Sequence, residues 1–406
     1  WYGLSPFQSG LVVSSSLAGA LASSIFAFFY GDDFGRRKEI MLAAVLYFFG
    51  ALVESTSPTF GLLVLGRLLY GLGIGLAMHG APAYIAEVAP QQVCGLLVSL
   101  KEAFIVLGIL LGYLISYLFA TAVGGWRLIY IAASPVAIVS LVGMYALPPS
   151  PRWLLLRNKP REDAVNALKR LRPNVQESQI EEEVDLIQAG IDVKSDASVS
   201  RFGILFERQN LRPLVIGLSL MVFQQITGQP SVLYYSTKIF QEAGFEAASS
   251  ATAVSVLLGI FKLVMTGVAV FTVDVVGRRP LLLSGVIGMV ISLFILGSVN
   301  FPVLSVIALL LYVGCYQVSF GPISWLLVGE VFPLAVRSSA IAIASFANFG
   351  SNFLVSLVLP SIQSSIGVSS TYLLFGLIGM MAIATIYFLV PETKGKTLEE
   401  IEQMFK

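Results

Sequence analysis

The chain has 406 residues, of which 56% are hydrophobic and only 12% charged, with a mean hydropathy of +0.83. Soluble domains carry roughly 25% charged residues, so about half the usual material for a water-facing surface is missing, and a soluble enzyme is excluded. A net charge of +1, from 25 Lys and Arg against 24 Asp and Glu, offers phosphates no general field and excludes a nucleic-acid binder. The two cysteines, Cys94 and Cys315, sit beside or within apolar runs and imply no disulfide framework.

Apolar runs recur from end to end, at 8–30, 39–57, 60–88, 98–120, 126–147, 211–240, 249–273, 281–299, 302–330, 337–361 and 370–390. Each is long enough to cross a hydrocarbon core of about 30 Å as a helix. The expected fold is therefore all-α and integral to the membrane. Gly71, Gly73 and Gly75 in the third run let helices approach closely, since packing drives association in lipid.

The connections alternate in charge. One set holds Arg36, Arg37 and Lys38, the 152–212 segment, Arg278 and Arg279, Arg337, and Lys394 and Lys396. The other set, near 56–60, 121–125, 300–302 and 362–369, has no Lys or Arg, with Lys238 and Arg127 the few basic residues nearby. The positive-inside bias places the first set in the cytosol or its equivalent and Trp1 outside. Eleven spans with an outside start lead us to expect a twelve-span protein whose first span lies upstream of Trp1.

An internal repeat organises the chain. Asp32-x-x-Gly35-Arg36-Arg37 recurs as Asp274-x-x-Gly277-Arg278-Arg279, 242 residues later. Glu87-Val88-Ala89-Pro90 returns as Glu330-Val331-Phe332-Pro333, and Leu147-Pro148 as Val390-Pro391, each 243 residues later. Two parallel halves related by an axis along the membrane normal describe the major facilitator architecture, with substrate bound near the midplane between them. We expect an N-terminal half at 1–148, a cytosolic linker with short helices at 149–210, a C-terminal half at 211–391 and a cytosolic tail at 392–406. In the linker, Ala164, Leu168 and Leu171 fall at helical spacing, and Glu181, Glu182 and Glu183 oppose the basic residues of 157–172. Bracing helices and a solvated charged linker both fit that pattern.

In D-x-x-G-R-R the glycine permits a tight turn, and the arginines can reach acidic partners and helix C-termini. Paired with Glu87 and Glu330, they read as a cytosolic latch formed by Asp32, Arg36, Arg37, Glu87, Asp274, Arg278, Arg279, Glu330 and Arg337. Topology alone would need the arginines but not the acids or their fixed spacing.

These stretches resemble the sugar porters of the major facilitator superfamily. The likeness is carried by the D-x-x-G-R-R pair, Arg67 followed by Gly71-x-Gly73-x-Gly75, Tyr84-Ile85-Ala86-Glu87, and Gly125-Trp126-Arg127. It continues through Pro148-Pro149-Ser150-Pro151-Arg152-Trp153, Gln224-Gln225-Ile226-Thr227-Gly228, Gly321-Pro322-Ile323-Ser324-Trp325, and Pro391-Glu392-Thr393-Lys394-Gly395. Within the family, Gln229-Pro230-Ser231-Val232-Leu233-Tyr234-Tyr235 and Tyr312-Val313-Gly314-Cys315-Tyr316-Gln317 look most like the plant and algal xylose–proton symporter-like and vacuolar glucose transporter branch.

The resemblance implies a major facilitator fold of two six-helix halves with the first helix, and the aspartate proposed to take the proton, missing here. It implies transport of a monosaccharide of the glucose or xylose type by alternating access, with a proton as co-substrate and no cofactor. A uniporter, an inositol-type polyol carrier and a sugar sensor are the alternatives; an enzyme is not expected, since the sequence holds no catalytic constellation and no metal cluster. The partners expected are the monosaccharide and the lipid bilayer, without nucleic acid, for a chain acting as a monomer. The plastid envelope, the vacuole and the plasma membrane all remain open.

A sugar needs amides for its hydroxyls and an aromatic plate for its apolar face. The resemblance assigns hydroxyl contacts to Gln224 and Gln225, stacking to Trp325, and a second amide pair to Asn348 and Asn352. Interhelical hydrogen bonding is the other reading of the glutamines. Tyr234 and Tyr235 read equally as an outer gate or as the aromatic belt. Arg67 matches the arginine thought to neutralise the proton-carrying aspartate. His79, the one histidine, reads as a hydrogen-bonded core residue in preference to a proton relay.

Several positions depart from the family. Glu102 stands where related symporters have glutamine, and Lys262 where many relatives have asparagine. Both count well inside spans, and we expect them to pair near the sugar site; two charges solvated separately in a wet cavity are the alternative. Cys94 replaces an arginine expected seven residues after Glu87, Pro230 replaces an asparagine, and Pro149 replaces a glutamate.

Overall fold

The computed structural model describes residues 3–89, 91–173, 175–195, 208–232, 248–298, 301–332, 337–396, 400, 401, 404 and 405; within the helices, the side chains of 28, 32, 91–99, 190–195, 208, 209, 248–251, 274, 302 and 337–339 are outside that description. The described residues form helices and connections without strands. In chain order the first helices are α1 (Pro6–Phe34), α2 (Arg36–Thr56), α3 (Phe60–Val88), α4 (Gln91–Phe119), α5 (Gly125–Ile131) and α6 (Ser134–Ala146). Three short helices follow, α7 (Pro151–Leu156), α8 (Arg161–Leu171) and α9 (Glu177–Ser195). The remainder are α10 (Arg208–Ile226), α11 (Ala248–Val276), α12 (Arg278–Ser298), α13 (Pro302–Val318), α14 (Phe320–Val331), α15 (Arg337–Ile366) and α16 (Val368–Leu389).

Eleven segments among the described residues are long and apolar enough to cross a membrane, and they match the eleven runs read from the sequence. Three are broken helices: α5 with α6, α10 with the helical turn at 229–232, and α13 with α14. Their outer surfaces are apolar at helical spacing. Val136, Val139 and Val142 on α6 are each more than 60% exposed and form an apolar stripe.

By packing, the chain divides into two compact units: Ala18–Lys101 with Tyr130–Ser200, and Trp1–Leu17 with Glu102–Ile129 and Arg201–Lys406. The sequence halves follow the repeat, whereas the packing units follow contact, which places most of α4 with the C-terminal helices. In the first unit, α7–α9 build their own small core from Leu154, Leu155, Ala164, Val165, Leu168, Ile180 and Val184. Glu183 pairs with Arg172 and Asp185 with Arg161. In the second unit, Leu282, Val286, Met289, Leu309, Tyr312, Phe320, Ile323 and Phe375 form a continuous buried core.

The glycine stripe of α3 works by contact. A Cβ on Gly75 would stand 2.3 Å from the Ala20 carbonyl oxygen and 2.1 Å from Ser23 Oγ on α1. The two backbones therefore touch, and a methyl group has nowhere to go. Gly75→Ala should cost about 1–3 kcal/mol as an overpacking change, lowering the melting temperature of the purified protein in detergent. Gly143→Ala, with nothing within 4 Å of the new methyl, should show no such loss.

Candidate functional site

In the second unit, the buried amides converge. Gln224 and Gln225, in the last turn of α10, are 3% and 5% exposed. Asn348 on α15 donates from Nδ2 to Gln224 Oε1 at 2.6 Å, and Gln225 Nε2 donates to Asn348 Oδ1 at 3.2 Å. Gln224 Nε2 also donates to the Phe320 carbonyl at 2.7 Å, at the break between α13 and α14. There Ser319 leaves helical geometry (φ −112°, ψ −95°), and its N–H turns back to the Cys315 and Tyr316 carbonyls. Such irregular backbone is tolerated at membrane depth where protein groups satisfy it. Gln225 Oε1 and Ser324 Oγ are buried and accept nothing among the described residues. Gln225 Oε1 is thus an acceptor held in place and left open.

Trp325 stands half-buried on α14 against Met221, Val328 and Phe332. Asn352, one turn beyond Asn348, accepts from Ser356 Oγ at 3.1 Å and does not bond to the glutamines among the hydrogen bonds described. Helix α10 stops at Ile226, where Gly228 adopts φ +103° and a Cβ would strike the Phe375 ring. Pro230 sits in the helical turn that resumes at 229–232, as suits a first-turn proline.

Beside this break, Lys262 of α11 is 9% exposed. It lines a cavity with Tyr113, Gln229, Tyr312 and Tyr316 that offers about 20 Å³ to the centres of water-sized molecules, roughly one water. Tyr312 donates to the Thr227 carbonyl at 3.3 Å and closes the broken end of α10. Glu102 is half-buried in the same unit, and its charge acts on Lys262. The two charges singled out in the sequence therefore belong to one electrostatic neighbourhood.

The repeated motifs give repeated contacts, each within its own unit. Arg36 Nε lies 3.5 Å from Glu87 Oε1, and Arg278 Nη2 lies 3.1 Å from Glu330 Oε1. Arg37 Nη2 donates to the Tyr145 carbonyl at 2.7 Å, and Arg279 Nη2 to the Tyr387 carbonyl at 2.6 Å. Both arginines also lie over the ring of that tyrosine. Gly35 and Gly277 take φ +87° and +105°, the left-handed turn that glycine allows. The side chains of Asp32, Asp274, Arg337 and Cys94, and all of Tyr234 and Tyr235, lie outside the described residues.

Three acids matter that the sequence reading did not single out as site residues. Glu39, 1% exposed, accepts from His79 Nδ1 at 2.8 Å in the tautomer that carries its proton there, and lies 3.9 Å from Arg36. His79 is hydrogen-bonded, as expected. Glu54, 3% exposed near the end of α2, interacts electrostatically with Arg67, whose Nη1 donates to the Tyr130 hydroxyl at 3.4 Å. Glu392 accepts from the backbone N–H groups of Arg278, Arg279, Thr393 and Lys394 and caps α12. Glu39 and Glu54 lie near span ends, where a sequence shows only a flanking charge.

Apolar spans in two related halves, with amides buried among them, define a membrane carrier of the major facilitator class. A profile of the sugar (and other) transporter family matches residues 3–405. D-xylose-proton symporter-like 2 of Arabidopsis thaliana is 50% identical over 415 residues, spanning 99% of this chain and 82% of that protein. D-xylose-proton symporter-like 3, chloroplastic, of the same plant is also 50% identical, over 99% of this chain and 75% of its own length. The inward-open structure of the xylose transporter XylE from E. coli aligns with a TM-score of 0.84 at 30% identity, covering all of this chain and 91% of that one. The chain belongs to the sugar (and other) transporter family, a family of multi-pass membrane carriers and not of enzymes.

Burial pushes the Glu392 carboxyl up, but its four backbone N–H bonds outweigh burial and hold it below the usual carboxylate range. The stability it adds is therefore present above the unfolded value of about 4.3 and is lost as pH falls through the folded one. Glu392→Gln should lower the melting temperature at pH 7, and the gap to wild type should close as the pH drops below about 4.

Proposed function

We propose that the protein moves a monosaccharide of the xylose or glucose type across its membrane by alternating access, coupled to a proton, as a monomer with one sugar site per chain. The observation that carries the site is the Gln224–Gln225–Asn348 cluster, where one amide oxygen is fixed and open. Neutral amides suit a substrate that presents many hydroxyls and no charge. Trp325, on the helix that follows the Ser319 break, supplies the plate for the sugar's apolar face. The relatives whose names read xylose and proton support both the substrate class and the coupling.

Lys262 and Glu102 extend the site as a charged wall. A Lys–Glu pair presents three ammonium donors and two carboxylate acceptors, which neighbouring hydroxyls of one sugar can bridge. The Arg36–Glu87 pair joins α2 to α3 and the Arg278–Glu330 pair joins α12 to α14, and the latch residues release or engage as the carrier rocks. Arg67 supplies a fixed positive charge for the proton-binding step.

Reconstituted protein should accumulate labelled xylose or glucose only under an inward proton gradient. Gln225→Ala should raise KM about tenfold, the loss of one to two hydrogen bonds of about 1 kcal/mol each. Sugar that equilibrates without regard to the gradient would make the protein a uniporter. In a double-mutant cycle on uptake, Glu102→Gln and Lys262→Met should show an interaction of about 0.5–3 kcal/mol; strict additivity would mean that the two charges act separately.

A further inference from the structure

We infer that Glu54 is a proton-carrying residue of this transporter, taking up and releasing the coupled proton beside the fixed charge of Arg67. The inference rests on the proton-coupled reading above and adds the residue that binds the proton. Glu54 lies in the last turn of α2 and is 3% exposed. A Cβ on Gly66 would stand 2.9 Å from Glu54 Cγ, so the acid lies against bare backbone, one residue from Arg67. Its Oε1 is buried and has no hydrogen-bond partner among the described residues. A buried carboxyl oxygen with an open valence is costly as a structural element and is what an exchanging proton requires.

The titratable neighbours are few. From α3, Arg67 and Tyr70 face Glu54. Tyr47, two turns earlier on α2, packs on the Tyr70 ring at 4.7 Å between centroids. From α5, the Tyr130 hydroxyl accepts from Arg67, and α6 carries no Asp, Glu, Lys, Arg or His. An arginine does not release its proton in a protein, and the tyrosines ordinarily titrate near 10. Among the described residues, Glu54 is thus the one carboxyl group of this cluster. The chemistry is a single O–H bond, made when the carboxylate takes a proton from water and broken when it is given back. Protonation cancels the attraction between Glu54 and Arg67 and shifts the guanidinium toward Tyr130, a change that α2 and α3 register directly.

The access route fits. Only residues 57–59 separate α2 from α3, and the charge bias puts that connection on the outer side. Glu54 is one turn from outer water, so the proton enters on the side from which an inward symporter must draw it.

The test is sugar accumulation by wild type and Glu54→Gln in the same proteoliposomes under an inward gradient of about one pH unit, which allows a one-proton carrier about tenfold accumulation. Wild type should accumulate, and Glu54→Gln should admit sugar but stop at equal concentrations. Undiminished accumulation by the variant would overturn the inference while leaving symport intact. If wild type itself fails to accumulate, the symport reading falls and this inference with it. Should Glu54→Gln prove inactive altogether, Glu54→Asp decides: a displaced pH profile of uptake supports a proton site, and an unchanged profile refutes it.

Discussion

Lipid offers a polar group no hydrogen bond at the depth of the hydrocarbon, so every such group must be satisfied by the protein or by a cavity it encloses. That constraint orders this structure. The break at Ser319 survives because the Ser319 N–H turns back onto two carbonyls and Gln224 takes the Phe320 oxygen. The break at Thr227 and Gly228 survives because Tyr312 donates to the Thr227 carbonyl. Each interruption costs helical hydrogen bonds, and each is repaired by a side chain that also builds the candidate sugar site. Among the buried atoms that remain open after the repairs are Gln225 Oε1 in one unit and Glu54 Oε1 in the other.

The repeat extends below the level of sequence. An arginine–glutamate pair and an arginine reaching the carbonyl of a tyrosine whose ring it also covers appear once in each half. The halves then part company at the mouth of the glycine turn. In the C-terminal half Glu392 fills the space beside Gly277 and accepts four backbone N–H groups. In the N-terminal half the matching position is Pro149, which has nothing to donate or accept from its side chain, and the Trp153 ring lies against Gly35 instead. One turn is tied by a carboxylate and the other is plugged by an indole.

Hydrophobic runs and basic loops are properties of composition, so the eleven spans, the two halves and the class of the protein were legible along the chain. The repeat was legible because its motifs keep one offset. The amide cluster was only partly so: Gln224 and Gln225 stood out as polar residues in an apolar run, but their partner Asn348 lies more than a hundred residues away and only folding joins them. The second asparagine, Asn352, follows at helical spacing and accepts from Ser356 on its own helix. His79 was readable as a core residue, whereas its partner Glu39 was not, since an acid two residues from Arg37 looks like part of a loop. Glu54 was hidden in the same way beside its short connection.

The contacts of Gly75 with Ala20 and Ser23, and of Gly19 with the Leu68 carbonyl, bring backbone against backbone in the N-terminal half. Such a seam, Ser23 apart, is made of backbone with few side chains to exchange. Over evolutionary time it can be kept or lost, but it cannot be graded, so the helices it joins are a poor place to explore new substrates. The Lys262 cavity is lined instead by side chains of varied size and polarity, which substitution can grade. Graded change is therefore open to that wall and closed to the glycine seam.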